Sequence, residues 1–150
     1  MKSTIILCSG GARSGKSEFA ERLALATEGR KAYVATGQAF DDEMVDRIKK
    51  HQERRGNIWT NFEIPLYLAE EWQHISSVAD VILIDCLTMF TTNHMMAHGS
   101  IQGQQDANRL EDMVLSELEA LLNLIKVSDD KIVIFVTNEI GLGIVPDNKL

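Results

Sequence analysis

Only two cysteines, Cys8 and Cys86, occur in this chain of 150 residues. Each lies inside an apolar stretch, and they form neither a CxxC pair nor any metal-ligand spacing. The pattern argues against a disulfide scaffold and for buried, reduced thiols in a cytoplasmic protein. Long hydrophobic runs are also missing. Val81 to Ile84 and Ile132 to Val136 are the longest, far short of a bilayer span. Met1 to Leu7 starts like a signal peptide but runs straight into glycines, so it reads as a first strand. Positive charge is in deficit, with 15 Lys and Arg against 22 Asp and Glu and a net charge of −7. Such a chain is a poor partner for nucleic acid or for an anionic membrane. A nucleoside phosphate would have to be held by local backbone dipoles and a few cations. Repeats, low-complexity tracts and linkers are absent, which leaves one domain over residues 1–150. Apolar residues make up 45% of the chain, enough for a core without staples.

What is present is an alternation of strand and helix patterns. Thr4 to Ser9 is apolar and β-branched, and Ser17 to Thr27 carries apolar residues at helical spacing. Lys31 to Thr36 predicts a second strand. Asp42 to Arg55 predicts a helix with acids at its start and bases at its end, as the helix dipole prefers. Pro65 opens a helix from Leu66 to about Val78. Asp80 to Leu87 predicts a third strand, apolar throughout as when both faces are covered. A short helix over Met89 to Ala97 and a polar loop over His98 to Gln105 follow. Leu110, Met113, Val114, Leu118, Leu121, Leu122 and Ile125 mark an amphipathic helix. Lys131 to Thr137 predicts a fourth strand, and Gly141 to Leu150 reads as a loop. The order predicts a three-layer α/β domain with a mainly parallel central sheet, whose ligands bind at the carboxyl ends of the strands.

At the first such end, Gly10-Gly11-Ala12-Arg13-Ser14-Gly15-Lys16-Ser17 fits the P-loop pattern GxxxxGK[ST]. The glycines let several N–H groups face one phosphate, and the following helix points its N-terminus at the same anion. Lys16 reaches the β- and γ-phosphates, and the Ser17 hydroxyl serves Mg2+. The strand before and the helix after supply the context that the pattern alone lacks. Asp85 ends the third strand, where a P-loop protein keeps the acid that holds Mg2+ through water; a helix cap is the alternative.

Arg47, His51, Arg54 and Arg55 fall on one side of the helix over 42–55, where a polyphosphate would be a natural counter-charge. His51 also follows Met44 and Ile48 at helical spacing, at the border of the apolar face. Spacing alone favours a half-buried structural histidine; a nucleophile or acid/base is the alternative. His74, His94 and His98 show no metal-ligand pattern. Met95 and Met96 read as core or interface packing, and Trp59 and Trp72 as core. Asn138 and Glu139 follow the fourth strand on the crevice side, where they either meet substrate or cap the strand.

Together, GGARSGKS, YVAT, DDEM..RI..H...R...WT..E, ID.LT....N and VTNE.G.GIVP.N.L resemble the bifunctional adenosylcobinamide kinase / adenosylcobinamide-phosphate guanylyltransferase family of cobalamin biosynthesis. The match runs from residue 5 to the end of the chain. The resemblance implies two reactions on one scaffold. A nucleoside triphosphate, ATP or GTP, phosphorylates adenosylcobinamide. GTP then guanylylates a histidine, and the GMP passes to adenosylcobinamide phosphate. His51 occupies the place of that histidine, and a covalent intermediate splits one hard transfer into two. The resemblance assigns Thr36, Arg54, Glu63 and Asp85 to nucleotide contacts. Ala35 and Gly37 flank Thr36 and are grouped with it, while Arg55 and Glu139 are added from placement. It further implies a homotrimer with sites near subunit interfaces. The family pattern continues past the N.L segment with a helix and a closing strand. This chain is therefore expected to lack the C-terminal strand and to carry an unpaired sheet edge. The competing functions are a different P-loop kinase for a small alcohol, with a structural His51, and a nucleotide-binding protein without turnover.

Overall fold

The structure is a computed structural model that describes residues 2–11, 14–37, 41–97 and 103–138. Ala12, Arg13, Glu139 and the loop expected over Gly141 to Leu150 lie outside the described residues. Strand β1 (Thr4–Gly10) leads to helix α1 (Lys16–Leu25), then β2 (Lys31–Ala35) and α2 (Asp42–Arg55). β3 (Trp59–Glu63), α3 (Leu68–Val78), β4 (Val81–Asp85), α4 (Leu87–Ala97), α5 (Gln104–Val127) and β5 (Ile132–Asn138) follow.

The described strands form one sheet in the order β1-β5-β4-β2-β3, parallel at every pairing. Side chains alternate across it because the strand period is two. Val34, Ile82, Ile84 and Val133 turn to one face and meet Leu68, Trp72 and Ile75 of α3 and Leu121 and Ile125 of α5. Tyr33, Val81, Leu83 and Ile134 turn to the other and meet Ala20 and Ala24 of α1. Helices on both faces make the expected three layers. They also explain why β4 reads as an unbroken apolar run, with four of five residues buried in it and in β2.

β3 departs from the sequence reading, which gave no strand between α2 and Pro65. It pairs only with β2, at the sheet edge. Thr60 and Asn61 in its middle are exposed while Trp59 is buried, so its pattern carries no long apolar signal. Helix α3 begins two residues later than predicted, after Pro65. Gln104 and Gln105, expected in a loop, open α5 instead. β1 forms the opposite edge, with β5 as its partner, and its Leu7 is 61% exposed. Met95 and Met96 are exposed as well, so neither is core, whereas Trp59 and Trp72 are both buried. Cys8 and Cys86 are free thiols, both buried, and burial pushes the pKa of each up.

The amino ends of β2, β4 and β5 are pinned around Asp80. Its Oδ2 accepts from the Arg30 backbone N–H at 2.9 Å and from Arg30 Nε at 3.1 Å, and its Oδ1 accepts from Arg30 Nη2 at 3.1 Å. Lys131 Nζ lies 3.6 Å from Oδ1 and donates to the carbonyls of Ser76 and Ala79. The Arg30 hydrogen bonds hold the Asp80 carboxyl well below the usual carboxylate range. A depressed folded-state pKa stabilises the fold above the unfolded value, near 4, and that contribution fades as pH falls below it. Asp80→Asn is therefore expected to lower Tm by about 2–5 °C at pH 7. The gap between variant and wild type should begin to narrow as pH falls below about 4 and go on narrowing with further acidification, as read by thermal melts at about pH 7, 4 and 2. A gap independent of pH would refute the assignment.

Candidate active site

At the carboxyl end of β1 the chain turns into the phosphate-binding loop. Gly15 sits at φ +82°, a conformation that favours glycine, and serves as the N-cap of α1 without a side chain to close it. A Cβ on Gly10 would lie 2.7 Å from Ser14 Oγ, so any side chain there would push the serine hydroxyl aside. Ser14 N–H donates to Gly11 O at 3.2 Å, and Lys16 Nζ donates to the same carbonyl at 3.1 Å. Gly11 O thus takes both bonds, with Lys16 folded back toward it from the first position of α1. An N-terminus lacking a capping side chain offers its N–H groups to an anion.

Ser17, the second residue of α1, donates its hydroxyl to Asp85 Oδ2 at 3.2 Å across 68 residues of sequence. The register places Asp85 beside Ala35, at the carboxyl end of β4. The same Oδ2 accepts the Tyr33 hydroxyl at 2.6 Å. Hydroxyl and carboxylate oxygens are hard donors of the kind Mg2+ takes when substrate phosphates complete its shell. Among the described residues no group of three ligating side chains forms a self-sufficient metal site. These oxygens thus fit a cation that arrives with a nucleotide.

Ser17, the last residue of the loop, and Asp85 face α2 across a cavity of about 340 Å³, while Gly10, Ser14, Gly15 and Lys16 line a neighbouring cavity with Phe19 and Arg22. Ser17, Tyr33, Ala35 and Asp85 line one wall; Ile48, His51, Arg54 and Arg55 line the other; Glu18 and Glu21 of α1 close the side. Helix α2 reaches this position with none of its residues buried. Asp41 caps it by accepting the Met44 N–H at 2.8 Å. Two contacts fasten its far end. Arg54 Nη2 lies 3.5 Å from Glu21 Oε2. The Arg55 guanidinium lies over the Tyr33 ring at 3.6 Å and donates to Asn61 Oδ1 at 2.9 Å.

His51 is exposed in the cavity wall, not half-buried as its spacing suggested. Met44 and Ile48, which precede it at helical spacing, are themselves only half-buried, and α2 buries no residue fully. Of the four residues on the predicted basic face, His51, Arg54 and Arg55 line the cavity. Arg47 instead lies 3.6 Å from Glu43 one turn away.

Thr36 is fully buried. Its hydroxyl donates to Cys86 O at 2.7 Å and accepts the Cys86 N–H at 2.9 Å, clamping the end of β2 to the residue after Asp85. Gly37 follows it, half-buried. Glu63 ends β3 beside Ala35 and is exposed, outside the cavity lining. Asn138 ends β5 next to Gly10, its backbone N–H bonded to Thr88 Oγ1 at 2.9 Å. The buried His94 lies on the other face, Nε2 3.2 Å from Leu66 O.

Three cavity residues escaped the sequence reading: Glu18, Glu21 and Tyr33. Glu21 stands four residues after Ser17 on α1, and that helical spacing was an available signal. Tyr33 lies two residues before Ala35, so the two share a sheet face. Without the register that sets Ala35 against Asp85, nothing tied Tyr33 to the acid.

Residues 6–150 match the sequence profile of the family described as cobinamide kinase / cobinamide phosphate guanyltransferase. Over 155 residues the chain is 34% identical to the bifunctional adenosylcobalamin biosynthesis protein CobU of Escherichia coli and 37% identical to the protein of the same name from Salmonella typhimurium. Each comparison covers 97% of this chain and 81% of the relative. Identity to the bifunctional adenosylcobalamin biosynthesis protein CobP of Pseudomonas aeruginosa is 40% over 141 residues, 94% of this chain and 75% of that one. Among solved structures, a prototypical ATPase from the type III secretion system of pathogenic bacteria aligns with a TM-score of 0.55 at 12% identity. That alignment covers 91% of this chain and 44% of the ATPase chain, and it speaks to the fold alone.

Proposed function

The chain belongs to the cobinamide kinase / cobinamide phosphate guanyltransferase family, and on that premise we propose that it carries out both reactions at the cavity that Ser17, at the end of the phosphate-binding loop, and Asp85 share with α2. In the kinase step the hydroxyl of adenosylcobinamide attacks the γ-phosphorus of ATP or GTP, and the nucleoside diphosphate leaves. Loop N–H groups and Lys16 hold the β- and γ-phosphates, offsetting charge as it moves to the leaving oxygen. Ser17 and Asp85 are the residues that would hold Mg2+, which supplies charge neutralisation at the phosphates when bound. Gly10 to Ser17, Ala35, Thr36, Gly37 and Glu63 would contact the nucleotide, and Asn138 and Glu139 would meet the substrate.

In the guanylyl step a ring nitrogen of His51 attacks the α-phosphorus of GTP and pyrophosphate leaves. A phosphate oxygen of adenosylcobinamide phosphate then attacks the phosphorus of the guanylyl-histidine, and the imidazole is restored. Arg54 and Arg55 supply positive charge beside the transferring group. The observation that carries this reading is the placement of His51 and two arginines across one cavity from Ser17 and Asp85. The working unit we infer is a cytoplasmic homotrimer. The exposed Met95 and Met96 of α4 support an assembly, and among the described residues no helix is long and apolar enough to cross a membrane.

The test is to incubate the protein with Mg2+ and α-labelled GTP, denature it, and look for acid-labile label on the chain. Label on the protein is the expected result. GTP binding without label would replace this reading by a P-loop kinase or a protein without turnover.

A further inference from the structure

We propose that Tyr33 is a positioning residue that orients the Asp85 carboxylate for the nucleotide-borne cation and links that carboxylate to the histidine helix. The inference rests on the reading of the cavity as the nucleotide site. Asp85 Oδ2 accepts two hydroxyls, Tyr33 at 2.6 Å and Ser17 at 3.2 Å. A phenol donating to a carboxylate at that distance makes a charge-assisted bond, roughly twice as strong as a neutral one. Neither hydroxyl uses Oδ1. When nucleotide binding turns the Ser17 hydroxyl to the cation, its bond to Oδ2 is given up. Tyr33 then keeps the carboxylate in the same orientation, with Oδ1 at the disposal of a cation-bound water.

The ring has one pose. Tyr33 is 8% exposed. Trp59 meets it edge to face, centroids 5.9 Å apart at 82°, and the Arg55 guanidinium covers its face at 3.6 Å. A phenol is a donor at neutral pH. Arg55 is the last residue of α2, one turn beyond His51. The end of α2 thus rests on the same side chain that orients Asp85, and the ring fixes the spacing between nucleophile and acid.

Two variants separate the hydroxyl from the ring. Tyr33→Phe keeps the seat for Arg55 and loses only the bond to Asp85. With GTP bound, its affinity for Mn2+, read from the electron paramagnetic resonance of the free ion, is expected to fall by about tenfold. GTP affinity without cation should stay within about twofold of wild type. Tyr33→Leu removes the ring too, and should also slow label transfer to His51 at saturating Mn2+. Unchanged Mn2+ affinity in a folded Tyr33→Phe chain overturns the proposal. Wild-type protein that binds no Mn2+ with GTP overturns instead the nucleotide-site reading beneath it. Should Tyr33→Phe not fold, the second tyrosine can be removed as Tyr67→Phe and 3-fluorotyrosine incorporated, since the chain holds only two. The fluorine resonance of Tyr33 should then shift when Mg2+ joins the GTP complex. A stationary resonance counts against the proposal.

Discussion

His51→Ala is expected to abolish the covalent GMP label while leaving the phosphorylation of adenosylcobinamide within about twofold of wild type. The imidazole is exposed, and α2 buries none of its residues, so its removal leaves no cavity behind. Alanine is also the best helix former, and an exposed substitution of this kind stays within about 0.5 kcal/mol. The fold should thus survive intact. What disappears is the atom that bonds to the α-phosphorus, and loss of a nucleophile of this kind costs on the order of 10⁴-fold or more. Acid-labile label from α-labelled GTP measures one reaction, and transfer from γ-labelled triphosphate to the corrinoid measures the other. Persistent label in the variant would move the nucleophile elsewhere and sink the assignment.

Lys16→Ala should behave differently, because in the proposed mechanism both reactions use the same phosphate cradle. In the free chain Lys16 Nζ donates to Gly11 O at 3.1 Å, a partly exposed contact whose loss costs little stability. With a triphosphate in place that ammonium faces the β- and γ-phosphates, where charge moves in the kinase step and where pyrophosphate leaves in the guanylyl step. Loss of one preorganised donor from such a site costs on the order of 10²–10³ in rate. Both label transfer to His51 and phosphorylation should fall together by at least that factor, with the thermal melt unchanged. A variant that lost phosphorylation but kept full labelling would show that the two reactions do not share this cradle.

The phosphate-binding loop was legible in the sequence because its chemistry is local. Gly10, Gly15, Lys16 and Ser17 act through backbone turns and the first turn of α1, all within eight residues. The limits of α2 were legible for a related reason, with acids at its start and arginines at its end. β3 was not, since an edge strand of five residues with an exposed middle leaves no run to detect. Tyr33 and Glu21 needed the fold. Tyr33 reaches Asp85 only through the pairing of β2 with β4, and Glu21 meets Arg54 only because α2 folds back over α1. His51 needed both: its neighbours Arg54 and Arg55 were visible as a helix face, but the wall that this face looks at lies 30 to 40 residues away in sequence, at Ser17 and Asp85.

Helix α2 has a thermodynamic character of its own. It runs 14 residues, a length at which an isolated helix is marginal in water, and none of its residues is fully buried. Its cap at Asp41, the pairing of Asp46 with Lys50 at 3.0 Å and the two arginine contacts each contribute modestly. The free energy of opening α2 is accordingly small beside that of unfolding the sheet, whose central strands are closed on both faces. Amide protons of α2 exchange with solvent through that local opening, on a schedule set apart from the core. A bound guanylyl phosphate that neutralises Arg54 or Arg55 stabilises this one unit and leaves global unfolding almost untouched. A melting curve of the whole chain therefore registers little of what happens at His51, whereas hydrogen exchange along α2 reports it directly.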